Sequence, residues 1–318
     1  MLLTARIPKA TESAALEPAC DGRMWLSGRD RGVLEQARLD AFDDVMATTR
    51  GRCLRVLHDR ENWYLAPGDL AAQCVKGDSP IFATMPDHAS HGARVPAKTG
   101  TVPPQSPGMY LKKHRGRTWW SWLRAKLGLR ACPGAGTVEA ENARALAAIG
   151  IPVMRVVACG ERLHGDGRLE SFLLTEELAG YGELAGFLRQ RISPGRELSR
   201  LVRQVAAIAR RLHAAGYNHR DLNCYHFLVK ERRPGEFDIR LIDLQRLQRR
   251  RWLRRRWIVK DLAQLAVSAP AECIRCREKI AFLRHYLGVR KLGPRDKRLV
   301  RSILRKQRLI QRRLGRMA

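Results

Sequence analysis

The chain has 318 residues, 45% of them apolar. A packed core is within reach and wholesale disorder is excluded. Its net charge of +29 comes from 60 Lys+Arg against 31 Asp+Glu, a surplus that needs an anionic counterpart: nucleic acid, an anionic membrane, or a phosphorylated substrate.

The surplus is regional. Between Arg246 and Ala318 lie 24 Lys/Arg against 4 Asp/Glu, a local balance of +20. No run reaches the roughly 18 apolar residues of a membrane span. The opening MLLTARIPKATESAALEPAC lacks the charged-then-apolar order of a secretory signal, so a cytoplasmic location is expected. The eight cysteines imply no disulfide framework. Cys273 and Cys276 form one C-x-x-C pair without a second, and read as two thiols on a helix rather than a zinc site.

In chain order, residues 1–30 read as a poorly ordered N-terminus. Leu34, Ala37, Leu39, Phe42 and Val45 are spaced as one helix face over 31–47. CLRVL (53–57) and ENWYLA (61–66) read as strands around a turn at His58–Arg60. Residues 67–107 hold 7 of the 15 prolines and read as an insertion. MYLKKH (109–114) reads as a strand, 118–129 as a helix, and 138–150 as a helix with a glycine stop. Two antiparallel strands, 154–161 and 170–178, follow. Helices GELAGFLRQR and 198–216 come next, then a polar loop and a hairpin of 227–229 with 239–244. Basic helices complete the chain. In the last of them Leu299, Ile303, Leu304, Ile310 and Leu314 face one way, fit to dock on the protein or on an inner leaflet. This order predicts an α+β, bilobal, protein-kinase-like fold. Its strand-rich lobe would span 31–178 and its mainly helical lobe 179–318.

The chemistry concentrates at YNHRDLNCYHFLV (217–229) and LIDLQR (241–246). His219-Arg220-Asp221 sits between a long helix and a hairpin, and Asp243 ends the second hairpin strand. A kinase needs two such carboxylates. One orients the attacking hydroxyl and accepts its proton; the other holds Mg²⁺ (or Mn²⁺) against the nucleotide phosphates. Lys112 ends a strand where a kinase keeps its phosphate-pairing lysine, with Lys113 as the register alternative. Glu139 or Glu141, on the following helix, should pair with it, and Glu139 is preferred; both could instead be first-turn acids favouring the helix dipole. Thr175-Glu176-Glu177-Leu178 follows a buried-looking strand, so backbone groups around Glu177 and Leu178 are expected to meet adenine.

N-H-R-D-x-x-x-x-H-F-L, then L-I-D-L-x-R, then R-W-x-x-K-D-L-A-x-L, resembles the lipopolysaccharide core kinases of the Kdo/WaaP family over about residues 35–310. YLKKH and ESFLLTEEL are also similar. The resemblance implies ATP-dependent phosphorylation of a Kdo or heptose hydroxyl in the lipopolysaccharide inner core. It implies Asp221 as the base, with Arg220 and His219 of the same motif also catalytic, and Asp243 and His226 as metal ligands; His226 could instead be a packed structural histidine. Asp261 would brace the catalytic loop structurally.

Two features depart from that pattern. No G-x-G-x-x-G joins the first two strands, so phosphate cover falls to backbone amides or Arg60. Residues 67–107 are additional. Asn223 could touch substrate or metal, or only stabilise a turn. Arg246, Arg249, Arg250, Arg254 and Arg255, with Trp252 and Trp257, suit an anionic lipid A–core acceptor on an anionic inner-membrane surface, with the protein bound peripherally. A Mn/Mg-dependent protein Ser/Thr kinase would use the same residues. The missing glycine loop leaves a pseudokinase open. A basic nucleic-acid-binding protein is the poorer fit, since it leaves the kinase motifs unexplained.

Overall fold

The computed structural model describes residues 16–19, 24–71, 107–117, 119–128, 133–190, 195–250 and 252–315. Most of the 67–107 insertion lies outside them, as do Cys20, Cys74 and Cys132.

Short strands β1 (Leu16–Pro18) and β2 (Met24–Ser27) lead into helices α1 (Arg31–Gln36) and α2 (Phe42–Ala47). The poorly ordered N-terminus expected over 1–30 is corrected for 16–19 and 24–30; the rest of it lies outside the described residues. β2 pairs with a central strand, and Met24 and Leu26 are fully buried. A four-residue strand carries too little periodicity to stand out, and its partner is distant in sequence. The single helix expected over 31–47 is two. Arg38 adopts φ 52°, and the Leu39 N–H bonds back to the Leu34 carbonyl, closing α1. All five face residues are nonetheless buried.

β3 (Arg52–Leu57) and β4 (Arg60–Leu65) form a hairpin turning at His58–Asp59, followed by α3 (Pro67–Ala71). β5 (Met109–Arg117), α4 (Trp119–Lys126), α5 (Ala135–Ala148), β6 (Val156–Leu163) and β7 (Arg168–Glu176) complete the first half. The seven strands make one sheet in the order β1-β2-β6-β7-β5-β4-β3, antiparallel at every pairing. α5 lies on β7. A Cβ at Gly136 would come within 2.5 Å of the Phe172 carbonyl, so only glycine allows this approach.

The second half holds β8 (Gly182–Glu183), α6 (Leu184–Gln190), α7 (Arg196–Ala214) and β9 (Tyr217–Asn218). β10 (Phe227–Arg233), β11 (Glu236–Leu241), β12 (Gln248–Arg249), α8 (Arg254–Ser268), α9 (Cys276–Leu287) and α10 (Pro294–Leu314) follow. β10–β11 is the predicted hairpin, and β9 pairs with β12. One apolar core runs from Leu146 and Leu173 through α6 and α7 to Leu262; a second lies under α1 and α2 around Phe42 and Phe172. α10 docks on α8, with Ile303, Leu299 and Ile310 packed into the core, while Leu304 and Leu314 remain exposed. Among the described residues no helix is long and apolar enough to cross a membrane.

Candidate active site

Side chains alternate along a strand, so neighbouring lysines of β5 face opposite ways. Lys113 is buried beneath α2, donates to the Thr48 carbonyl, and has its ammonium pKa pushed down to about 8 by burial. Lys112 faces α5, where its Nζ lies 2.9 and 3.0 Å from the two oxygens of Glu139. Glu139 is fully buried, in the second turn of α5, because the helix begins at Ala135 rather than 138. The dipole explanation for Glu139 therefore fails. The same carboxylate accepts from the Leu244 N–H at 3.3 Å, and Asn142 Nδ2 donates to the Leu244 carbonyl at 2.8 Å. α5 thus fixes the segment that follows Asp243.

Asp261 of α8 anchors the catalytic loop. It is fully buried and accepts from the backbone N–H groups of His219 (2.9 Å) and Arg220 (2.8 Å) and from His213 Nε2 (3.2 Å). This holds Arg220 at φ 69°. A non-glycine residue adopts that backbone only where its surroundings enforce it. The anchored loop presents Asp221, whose Oδ1 accepts from Gln264 Nε2 at 3.1 Å and whose Oδ2 lies 3.6 Å from Arg246 Nη1.

Asp243, at φ 56°, is the second strained residue of the site, and its Oδ1 is buried without a partner. His226 Nδ1 lies 2.8 Å from the Asp221 carbonyl oxygen, which can only accept, so Nδ1 carries the proton. The Nε2 lone pair then points at Asp243 Oδ2, 3.5 Å away. Two lone-pair donors facing each other call for a cation between them, and an orphaned carboxylate oxygen adds a further ligand. Among the described residues no cluster of three or more His, Cys, Asp or Glu side chains could enclose a metal. Mg²⁺ held by one or two protein groups plus nucleotide phosphates needs none. The residues present therefore fit a divalent ion, which Asp243 and His226 would hold.

Three sequence-based assignments change. His219 is fully buried, stacks on His226 at 5.4 Å, and bonds the Ile242 carbonyl. It cannot touch substrate; it positions. The Arg220 guanidinium makes no ion pair with Asp221 and instead stacks on Trp257, with Cζ 5.1 Å from the ring centroid. Arg254 donates to the His213 carbonyl and belongs to the scaffold. Of the other predicted acceptor arginines, Arg246 faces Asp221, Arg249 stacks on Tyr217, Arg250 on Trp257, and Arg255 is exposed. Asn223 caps the short 3-10 turn after it, accepting from the Tyr225 N–H.

At the strand end after β7, the Glu177 N–H is taken by the Gly108 carbonyl (2.7 Å) and the Leu178 carbonyl by the Tyr181 N–H (3.1 Å). The Glu177 carbonyl and Leu178 N–H bond no other described residue. The β3–β4 turn holds no glycine, and Arg60 sits opposite His114 on β5. Sequence reasoning missed Gln264 and Lys260. The signal was present: Trp257, Lys260, Asp261 and Gln264 follow the i, i+3, i+4, i+7 spacing of a single α8 face.

A model of the lipopolysaccharide kinase (Kdo/WaaP) family matches residues 99–286, well over half of the chain. The chain belongs to that family. The lipopolysaccharide core heptose(I) kinase WaaP of Pseudomonas aeruginosa is 36% identical over 185 residues, covering 56% of this chain and 69% of the relative. WaaP of Escherichia coli K12 is 30% identical over 186 residues, covering 57% and 70%. A solved structure of WaaP in complex with acyl carrier protein superposes with a TM-score of 0.61 at 28% identity, covering 90% of this chain and 98% of that one. As a Kdo/WaaP-family member the chain is a phosphotransferase with a protein-kinase-like fold, and ATP use follows from the family.

Proposed function

We propose that this kinase phosphorylates a heptose hydroxyl of the lipopolysaccharide inner core, the acceptor of its WaaP relatives. The observation that carries the reading is the pairing of a held base with a preassembled phosphate site. Asp221 is fixed by Gln264 on a loop locked by Asp261, while Lys112 and Glu139 stand ready for the nucleotide. Asp221 takes the proton of the acceptor hydroxyl, whose oxygen bonds the γ-phosphorus as the β–γ bridging P–O bond breaks and ADP leaves. Lys112 holds nucleotide phosphates, and Arg246 offers a cation beside the base as negative charge spreads over the transferring group. Asp243 and His226 would hold a divalent ion, which supplies charge neutralisation at the phosphates. The Glu177 carbonyl and Leu178 N–H are the open backbone groups for adenine.

The acceptor is membrane-bound, and the protein docks peripherally through the segment before α8. There Trp252 and Leu253 are 84% and 71% exposed beside Arg249 and Arg255.

The test is ADP release with purified core oligosaccharide–lipid A as acceptor. Wild type turns over only with acceptor present, and Asp221→Ala loses roughly a hundredfold or more in kcat. Undiminished turnover by that variant, or equal turnover with a protein acceptor, overturns the reading.

A further inference from the structure

Beside the proposed transfer site lies a group of cations that, among the described residues, form no salt bridge. Trp257, in the first turns of α8, is half-buried, and four cations ring its indole. The distances to its centroid are 4.4 Å for Arg250, 5.1 Å for Arg220, 5.7 Å for Lys260 and 5.9 Å for Arg256. Each contact with the ring face is weakly attractive, but like charges this close repel one another. Among the described residues, no carboxylate pairs with any of the four. Asp261 is consumed by backbone N–H groups and His213, and Asp221 faces Gln264 and Arg246. The Nε–H donors of both Arg220 and Arg250 are buried and bond nothing. A buried, unmet guanidinium donor is costly, and native structures rarely retain two together. Lys260 donates to the Arg220 carbonyl, and its ammonium is held below the usual lysine range by burial, with Arg246 and Arg220 adding to the shift and the carboxylates of Asp261 and Asp221 opposing it.

We infer that Arg220, Arg250 and Lys260, on the Trp257 platform, form a subsite for an anionic substituent that the acceptor already carries next to the hydroxyl being phosphorylated. This deepens the proposed function and rests on its placement of the acceptor at Asp221. The subsite takes a tetrahedral or planar oxyanion, a phosphate monoester or a sugar carboxylate, because both complete the arginine donors. Since Arg220 immediately precedes Asp221, an occupied subsite would fix the acceptor in register with the base.

The test is direct binding, so that it stays separate from any failure to phosphorylate a particular glycolipid. Full-length protein is saturated with a non-hydrolysable ATP analogue and Mg²⁺, then titrated with inorganic phosphate and, in a second arm, with acetate. The readout is the indole N–H resonance of Trp257, assigned by its loss in Trp257→Phe. A saturable shift with phosphate alone indicates a phosphorylated acceptor group, and one with acetate as well extends the subsite to a carboxylate. Arg250→Gln with Lys260→Gln should weaken the midpoint roughly tenfold or more. The inference is overturned by no Trp257 shift with either anion, or by an unaltered midpoint in the double variant. It is also overturned by a shift seen only without the nucleotide analogue, because the cations would then serve the nucleotide's own phosphates.

Discussion

His219 shows how one residue couples the site to the stability of the fold. Burial, reinforced by the charge of His226, pushes its pKa from 6.5 down to about 4. The folded state therefore resists a proton that the unfolded chain accepts. The stability that neutral His219 contributes is complete above pH 6.5 and is lost as pH falls toward 4, on the order of 3 kcal/mol across that window. His114, pushed to about 4 by burial and then by Lys112 and Arg60, acts in the same direction. Urea midpoints measured at steps from pH 7 to 4 should fall steeply, and His219→Gln, whose amide nitrogen can take the place of Nε2 toward the Ile242 carbonyl, should flatten the slope. An unchanged slope would mean that His219 does not titrate in this way. The importance of His219-Arg220-Asp221 was legible in sequence, but not the division of labour. Of the three, Asp221 is the one proposed to take the acceptor's proton; His219 is buried and Arg220 turns to Trp257.

At the scale of elements, α5 and α8 build the site. α5 delivers Glu139 to Lys112 only because Gly136 lets the helix lie against β7. Gly136→Ala would place its Cβ 2.5 Å from backbone atoms that cannot yield without moving the strand. We expect a loss of about 1–3 kcal/mol in denaturant stability and a larger KM for ATP as the helix shifts. Wild-type values for both would show that the helix adjusts freely. α8 carries a functional face at regular helical spacing, yet its apolar pattern is weak. Trp257 and Gln264 on that face gain meaning only when the catalytic loop is laid across it. The choice between Lys112 and Lys113 was likewise open in sequence. It turns on strand parity: one residue's slip sends the ammonium under α2 instead of toward α5.

For the whole molecule, the excess charge gathers in two places in the structure: cations around Asp221 and Trp257, and an exposed basic segment that includes Trp252 and Leu253. Leu253 holds φ 54° while 71% exposed, an unfavourable backbone and an unfavourable side-chain placement together. The proposed bilayer docking would account for both. In sedimentation with phosphatidylglycerol vesicles, Trp252→Ala with Leu253→Ala should lower partitioning by about tenfold, while pure phosphatidylcholine vesicles should bind poorly at the outset. Equal binding to both lipids, or no effect of the double substitution, would refute this.

The sequence by itself determined the α+β kinase-like order of elements, the loop and hairpin carrying Asp221 and Asp243, and the regional charge. Each is written in local spacing: helical and strand periods, glycine stops, and a motif contained within a short segment. The tertiary structure alone decided the rest. β2 is a strand because the edge of β6 is there to pair with it. Lys112, not Lys113, meets Glu139, and Gln264 holds Asp221. The charge divides between scaffold, the surroundings of Asp221, and surface, as Arg254, Arg246 and Arg255 show in turn. These outcomes depend on which distant residues share a face, and long-range packing sets that where local pattern cannot.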